Sequence, residues 1–189
     1  MIDIKSRQTG IIMGIDPGTV ITGYSVIGSV GTKPDLLIMG VIELKKYKDH
    51  YEKLGKIFER VSSIIKEYKP SELAIESPFF GKNVQSMLKL GRAQGVAMAA
   101  ALSNNIPVFE YAPRKIKIAV TGNGNASKEQ VAGILKYELN ISDIPDFFDA
   151  TDALGVAVCH FYQTRKILRQ NKHVSDWAAF VKNNPDRIK

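Results

Sequence analysis

Cysteine is almost absent from this chain, which has a single one, Cys159, in 189 residues. A lone thiol can form neither an internal disulfide nor a Cys-rich zinc site, and the sequence fits a reducing compartment such as the cytoplasm. Long apolar runs are also missing, and the polar stretch 1–10 lacks the apolar segment of a signal peptide. We therefore expect neither secretion nor a membrane partner.

Acidic residues and histidines are both scarce. Lys and Arg number 26 against 19 Asp and Glu, which gives a net charge of +7. This excess suits a polyanionic partner such as a nucleic acid, although basicity alone is weak evidence because many basic proteins bind none. The 3 histidines are scattered without metal-ligand spacing. We assign them no chemistry.

Hydrophobic residues make up 44% of the chain, enough for one core in a domain of ordinary size. We divide the sequence into an N-terminal extension at 1–10, a main domain at 11–165 and a basic tail at 166–189. The tail could contact phosphates, pack on the domain or dock a partner protein, and the sequence does not distinguish these roles.

The periodicity of apolar residues predicts an α/β fold. Three β-rich segments in succession predict an antiparallel meander, and two later strands separated by helices predict parallel members of the same sheet. The expectation is a five-stranded mixed sheet flanked by helices. The predicted strands are 11–15, 22–27, 36–44, 73–76 and 107–111. The predicted helices are 50–68, 83–103, 114–120, 127–138 and one from about 149 past 162.

The helix at 83–103 has apolar or small residues on almost every side, more than one sheet can cover. Gly91 and Gly95 lie four apart and would let a neighbouring helix approach closely. That neighbour is either a helix of a second subunit or the terminal helix of the same chain, and the pattern favours neither.

Two acids follow buried strands. Asp16 ends the first strand and Glu76 ends the fourth, and neither has a Lys or Arg beside it in sequence. An unpaired buried charge costs on the order of several kcal/mol, so something must compensate, and a divalent cation with oxygen ligands would do so. The alternative is that each acid simply ends its strand in solvent.

Asp149 and Asp152 lie three apart at the start of the last predicted helix, where unpaired N–H groups favour negative charge. Alone, they fit an N-cap and its capping-box partner. If the two strands are neighbours and this helix crosses their ends, all four acids converge. Two metal ions about 3.5–4 Å apart could then hydrolyse a phosphodiester.

Seven ordered blocks of the sequence resemble the RuvC family of Holliday-junction resolvases. They span most of the chain, whereas the Asp-x-Gly-Thr element alone is shared with actin-like and sugar-kinase folds. The blocks are Ile15–Thr19, Thr22–Tyr24, Ala74–Glu76, Lys89–Gly95, Pro107–Pro113, Lys115–Lys117 and Asp149–Leu154.

The resemblance implies a ribonuclease H-like fold and a homodimer that acts on four-way junction DNA. Each subunit would nick one of two opposed strands, leaving 5′-phosphate and 3′-hydroxyl ends, with two Mg²⁺ ions that Mn²⁺ could replace. A branch-migration complex of the RuvA and RuvB type is the implied partner. The family's metal ligands map onto Asp16, Glu76, Asp149 and Asp152. Some members have His at the third position, so Asp149 implies an all-carboxylate site.

The resemblance also implies residues that contact DNA. Phe79, with Phe80 as its neighbour, matches an aromatic that stacks on bases near the junction centre, although core anchoring after Pro78 is the simpler alternative. A basic group matches the family's phosphate contacts and could equally be a solvated surface. Its members are Arg114, Lys115, Lys117 and Lys128.

Two other functions fit parts of the sequence. A non-cleaving junction-binding protein would use the same basic surface but would not need four acids. An actin-like or sugar-kinase nucleotide binder is suggested by residues 14–23. That architecture needs two such domains, and this chain is too short for both.

Overall fold

The computed structural model describes residues 10–78, 83–141 and 148–174. Within these ranges, five strands and five helices follow one another in the expected order. The strands are β1 (Ile12–Asp16), β2 (Ile21–Val30), β3 (Lys33–Glu43), β4 (Glu72–Glu76) and β5 (Val108–Tyr111). The helices are α1 (His50–Tyr68), α2 (Val84–Leu102), α3 (Pro113–Thr121), α4 (Lys128–Glu138) and α5 (Phe148–Val174).

The strands form one mixed sheet in the order β3-β2-β1-β4-β5. β2 pairs antiparallel with β1 and β3, whereas β4 pairs parallel with β1 and β5. The five-stranded mixed sheet is thus confirmed. As a consequence, the C-terminal ends of β1, β3, β4 and β5 all lie at the same edge of the sheet.

Local signals set the helix boundaries. Asp49 caps α1 by accepting a hydrogen bond from the backbone N–H of Glu52 at 2.9 Å, and Lys69 ends that helix in the left-handed conformation. Ser127 and Gln130 form a full capping box at the start of α4. These caps fix where the helices enter and leave the sheet layer.

Helices cover both faces of the sheet. α1 and α2 pack on one face with Leu73 and Ile75, whereas α3, α4 and α5 pack on the other with Ala74. α2 therefore rests against α1, and α5 lies across the sheet from it. The alternative that the chain's own terminal helix covers α2 is wrong.

α5 runs without interruption to Val174 and so crosses position 165/166. The first nine residues of the segment that we interpret as a tail are helical, and the division at 165 stays a prediction. In the part of the chain that the structure describes, no helix combines the length and apolarity needed to cross a bilayer.

Candidate active site

Sheet pairing brings the first two acids together. β1 and β4 are parallel neighbours, with Ile15 opposite Ile75, so Asp16 and Glu76 follow at adjacent strand ends. Both residues are half-buried. The strands themselves are almost fully buried, so each carboxylate is held at the rim of the core.

Glycines bring the start of α5 to the same edge. Gly23 is paired with Asp16, and a Cβ added at Gly23 would lie 1.9 Å from the carbonyl oxygen of Asp149. Further along, a Cβ at Gly14 would lie 2.2 Å from the carbonyl oxygen of Ala153. Only glycine permits so close an approach of helix and sheet.

The hydroxyl of Ser25 donates a hydrogen bond to the same Ala153 carbonyl at 3.0 Å. This contact fixes α5 along β2, and Asp149 lies in the first turn of the helix. Asp149 is thus a helical residue rather than the N-cap that the sequence also allowed.

The charges of the other three acids each act on Asp16. Burial, and then the charges of Glu76, Asp152 and Asp149, raise the pKa of Asp16 from 3.8 to about 8. Burial, and then the charge of Asp152, raise the pKa of Glu76 from 4.5 to about 7. Mutual repulsion of this kind requires the convergence that the sequence only suggested.

Lys128 is paired with one acid of the cluster. Its Nζ donates a hydrogen bond to Oδ2 of Asp152 at 2.5 Å. Burial alone would lower the pKa of Lys128, but this bond and the nearby carboxylates raise it overall. No sequence pattern indicates this pair, because 24 residues separate its members and Lys128 reaches Asp152 from the start of another helix.

A cavity of about 210 Å³ opens beside the acids between α3, α4 and α5. Glu76 and Asp152 line it together with Lys117 and Lys128. A cavity lined by both carboxylates and ammonium groups suits a negatively charged substrate that bridges to cations.

The donor set fits a divalent cation, because carboxylate oxygens are the ligands that hard cations prefer. The raised pKa values of Asp16 and Glu76 record charge that a cation would neutralise. Among residues 10–78, 83–141 and 148–174, no three His, Cys, Asp or Glu side chains yet lie at ligating distances from one point. The carboxylates are nevertheless near enough to raise one another's pKa values.

The predicted DNA-contacting cations fall into two groups. Lys117 lies near enough to lower the pKa of Glu76 and lines the cavity with Lys128. Lys115 is exposed, with its Nζ 5.0 Å from the ring centre of Tyr111, and Arg114 packs over Gly124. Phe79 and Phe80 lie outside the described residues.

The loop after Asp16 is held by residues to which sequence reasoning gave no role. The buried hydroxyl of Thr22 donates to the carbonyl of Gly18 at 2.9 Å and accepts from its N–H at 3.2 Å. Lys53 donates from α1 to the carbonyl of Thr19 at 3.2 Å. These bonds fix the turn that follows β1.

Neutralising Asp16 should stabilise the metal-free protein. The unfolded chain releases this proton near pH 4 and the folded chain near pH 8, so the folded state binds more protons between those values and stability falls as pH rises through them. In EDTA at pH 8, we expect Asp16→Asn to melt above wild type by about 2–6 °C, or roughly 1–2 kcal/mol for a half-buried group. At pH 4.5 the two should melt together. Equal melting at both pH values would contradict the assigned repulsion.

A mixed sheet of this topology, with carboxylates at the ends of β1 and β4 and at the start of a crossing helix, defines a ribonuclease H-like nuclease. A family model described as crossover junction endodeoxyribonuclease RuvC matches residues 12–160. The chain belongs to the RuvC family.

Curated relatives agree over the full length. A crossover junction endodeoxyribonuclease RuvC from Cytophaga hutchinsonii is 59% identical over 191 residues, covering 100% of this chain and 94% of that protein. The Bacteroides fragilis protein of the same name is 60% identical over 188 residues, covering 98% and 100% respectively. The chain is therefore an endodeoxyribonuclease of a metal-dependent family, and the non-cleaving and nucleotide-binding alternatives are not supported.

Solved structures of Holliday junction resolvases have the same fold. T. thermophilus RuvC in complex with Holliday junction substrate has a TM-score of 0.78 and 30% identity, covering 84% of this chain and 96% of that one. The yeast mitochondrial Holliday junction resolvase Ydc2, at a TM-score of 0.61 and 14% identity, shares the fold. The predicted family, fold class and nuclease activity are all confirmed.

Proposed function

We propose that the chain resolves Holliday junctions in recombination and repair by paired, symmetric nicks, with Asp16, Glu76, Asp149 and Asp152 as the ligands of two Mg²⁺ ions. Mn²⁺ would substitute. The observation that carries this proposal is the convergence of four carboxylates at one sheet edge, where Asp16 and Glu76 are forced to high pKa values. Acids with strongly raised pKa values destabilise the fold, and such groups cluster at functional sites.

When bound, the cations would supply Lewis acidity and lower the pKa of a coordinated water. The residues of the chain do the rest. Asp16 and Glu76, on rigid strand ends, would hold their carboxylates in a fixed spacing, and Asp149 and Asp152 would complete the set from one helix face. Lys128 would exchange its bond to Asp152 for the scissile phosphate, and Lys117 would approach the same group from the cavity wall.

The homodimer is proposed to form through α2. Its outward face carries a continuous apolar or small stripe at helical spacing. The stripe residues are Leu88, Gly91, Gly95, Ala99 and Leu102. A Cβ at either glycine would meet no atom of the described residues within 4 Å, which leaves room for a second helix. A self-complementary stripe fits a two-fold dimer.

The DNA partner is proposed to be a four-way junction, as in the T. thermophilus complex. Stacking by Phe79 and Phe80, cooperation with a branch-migration complex of the RuvA and RuvB type, and a cytoplasmic location belong to the same proposal. They rest on the family resemblance and, for the location, on Cys159 remaining a buried free thiol.

The ends of the products test the proposed chemistry. Hydrolysis assisted by two cations should leave nicks that DNA ligase seals without prior phosphorylation, at symmetric positions on opposed strands. Junction products from singly labelled strands would be treated with ligase directly. Nicks that cannot be sealed, or cuts in one strand pair at unrelated positions, would contradict the proposal.

Lys117 should contribute a phosphate contact. Each phosphate neutralised by the protein adds about 0.9 to the slope of log affinity against log salt for duplex DNA. Lys117→Ala should therefore lower that slope by about 1 in junction-binding titrations across a salt series. Lys136→Ala, which removes an exposed charge at the far end of α4, is the matched control. Identical slopes for the two variants would remove Lys117 from the interface.

A further inference from the structure

Gln94 is a buried polar residue on the dimer helix. It is 6% exposed, and the other buried residues of α2 are four alanines. A polar amide in such a setting is destabilising unless its groups are hydrogen-bonded. Its Nε2 donates to Oε2 of Glu110 at 3.0 Å and, with a longer bond of 3.5 Å, to the carbonyl oxygen of Glu76.

The peptide bond between Glu76 and Ser77 is thereby held at both ends. Its carbonyl accepts from Gln94 of α2, and its N–H donates to the carbonyl of Tyr111 in β5 at 3.0 Å. One side of this peptide carries a proposed metal ligand. The other begins the segment that leads to Phe79. A small rotation of this single unit would move both.

The side chains of Glu76 and Gln94 lie on opposite sides of the sheet. Ile75 faces the α1 and α2 layer, so the next side chain, Glu76, faces the α5 layer, where Asp152 lies. Gln94 reaches the main chain of Glu76 from the α2 side. It is also flanked in sequence by Ala93 and Gly95, and Gly95 belongs to the exposed stripe.

We propose that Gln94 is a positioning residue that couples the seating of α2 to the orientation of the Glu76 carboxylate. Because the amide of Gln94 is bonded to the main chain of Glu76, a shift of α2 would be carried to that peptide and to the carboxylate beside it. The inference rests on the proposed role of Glu76 and adds a residue that orients it.

The test compares variants that remove or keep the donor. Gln94→Met preserves volume without a donor, and Gln94→Asn keeps the amide but is one methylene too short to reach the carbonyl. Gln94→Lys keeps donors for both acceptors. Gln163→Met, in α5 and without a hydrogen bond to a described residue, is the control.

We expect Gln94→Met and Gln94→Asn to raise the Mg²⁺ concentration for half-maximal thermal stabilisation about tenfold, as is common when a residue supporting a metal ligand is lost. Single-turnover cleavage of a saturated junction should fall by about the same factor. Junction affinity in EDTA and dimer mass should match the control. Gln94→Lys should recover most of the Mg²⁺ response.

An unchanged Mg²⁺ half-point in both Gln94→Met and Gln94→Asn would overturn the inference, as would failure of Gln94→Lys to recover it. Glu76→Gln separates this from failure of the proposed function. If Glu76→Gln loses cutting while the Gln94 variants behave as wild type, the positioning role alone is wrong. If Glu76→Gln itself cuts normally, the metal site and the positioning role both fail.

Discussion

Asp16→Asn and Glu76→Gln are each expected to lower cleavage of a four-way junction by at least about a thousandfold and to leave junction affinity in EDTA nearly unchanged. Each substitution keeps the side-chain volume and removes the charge that a cation requires. Asp152→Asn should behave in the same way and should also release Lys128 from its 2.5 Å bond. Single-turnover cleavage and a separate binding titration would measure the two quantities.

Glu43→Gln is the matched control, because Glu43 is an exposed acid that ends β3 at the same sheet edge. It should cut at the wild-type rate. Undiminished cleavage by Asp16→Asn or Glu76→Gln would remove the residue from the catalytic site. An equal loss in Glu43→Gln would mean that the edge as a whole, rather than the four-acid cluster, controls the reaction.

The second large effect concerns assembly of the dimer. Gly95→Leu should convert the protein to a monomer at micromolar concentration and reduce paired nicking by about a hundredfold or more, since one subunit can cut only one strand. Gly95 is open to substitution, because no atom of the described residues lies within 4 Å of an added Cβ. Replacing an exposed helical glycine should even favour the helix by about 0.5–1 kcal/mol.

Gly55→Leu tests the same substitution on α1, where the added Cβ also meets nothing within 4 Å. This substitution should leave the dimer mass and the rate of paired nicking unchanged. Sedimentation velocity would measure the mass. A junction supplied as a covalently closed cruciform would measure paired nicking, since paired nicks linearise the cruciform and single nicks do not. A dimeric Gly95→Leu protein with normal pairing would place the interface elsewhere.

Much of the fold follows from local signals in the sequence. The predicted bounds of the first helix, 50–68, coincide with those of α1, because Asp49 caps it and Pro70 follows its end. Three strands in succession, then strands separated by helices, predicted the antiparallel meander and the parallel members, whereas the pairing of β1 with β4 was only assumed. The last helix was predicted to run past Tyr162 without a stated end, since polar residues there obscure the helical period, which continues to Val174.

The candidate site was only partly accessible from sequence. Asp16 and Glu76 were identified because each follows a buried strand, but their approach to α5 depends on Gly14 and Gly23, whose missing side chains let the helix descend onto the sheet. Sequence patterns do not reveal such close approaches. The Lys128 bond to Asp152 was also missed, because it depends on how α4 packs against α5.

The position of Gln94 illustrates this limit most clearly. In the sequence it is one polar residue in a helix of small side chains, and its contacts to Glu110 and Glu76 come from two other elements. Hydrogen bonds between distant segments become visible only when the sheet register is known. The candidate acids are visible in the sequence, whereas the contacts of Gln94 are not.

The most direct test of the central claim compares a synthetic four-way junction with a linear duplex of the same sequence, each with Mg²⁺ or with EDTA. We expect symmetric paired nicks in the junction with Mg²⁺, and neither cutting of the duplex nor cutting in EDTA. Cleavage of the duplex at a comparable rate, or junction cleavage that persists in EDTA, would contradict a metal-dependent resolvase built on Asp16, Glu76, Asp149 and Asp152.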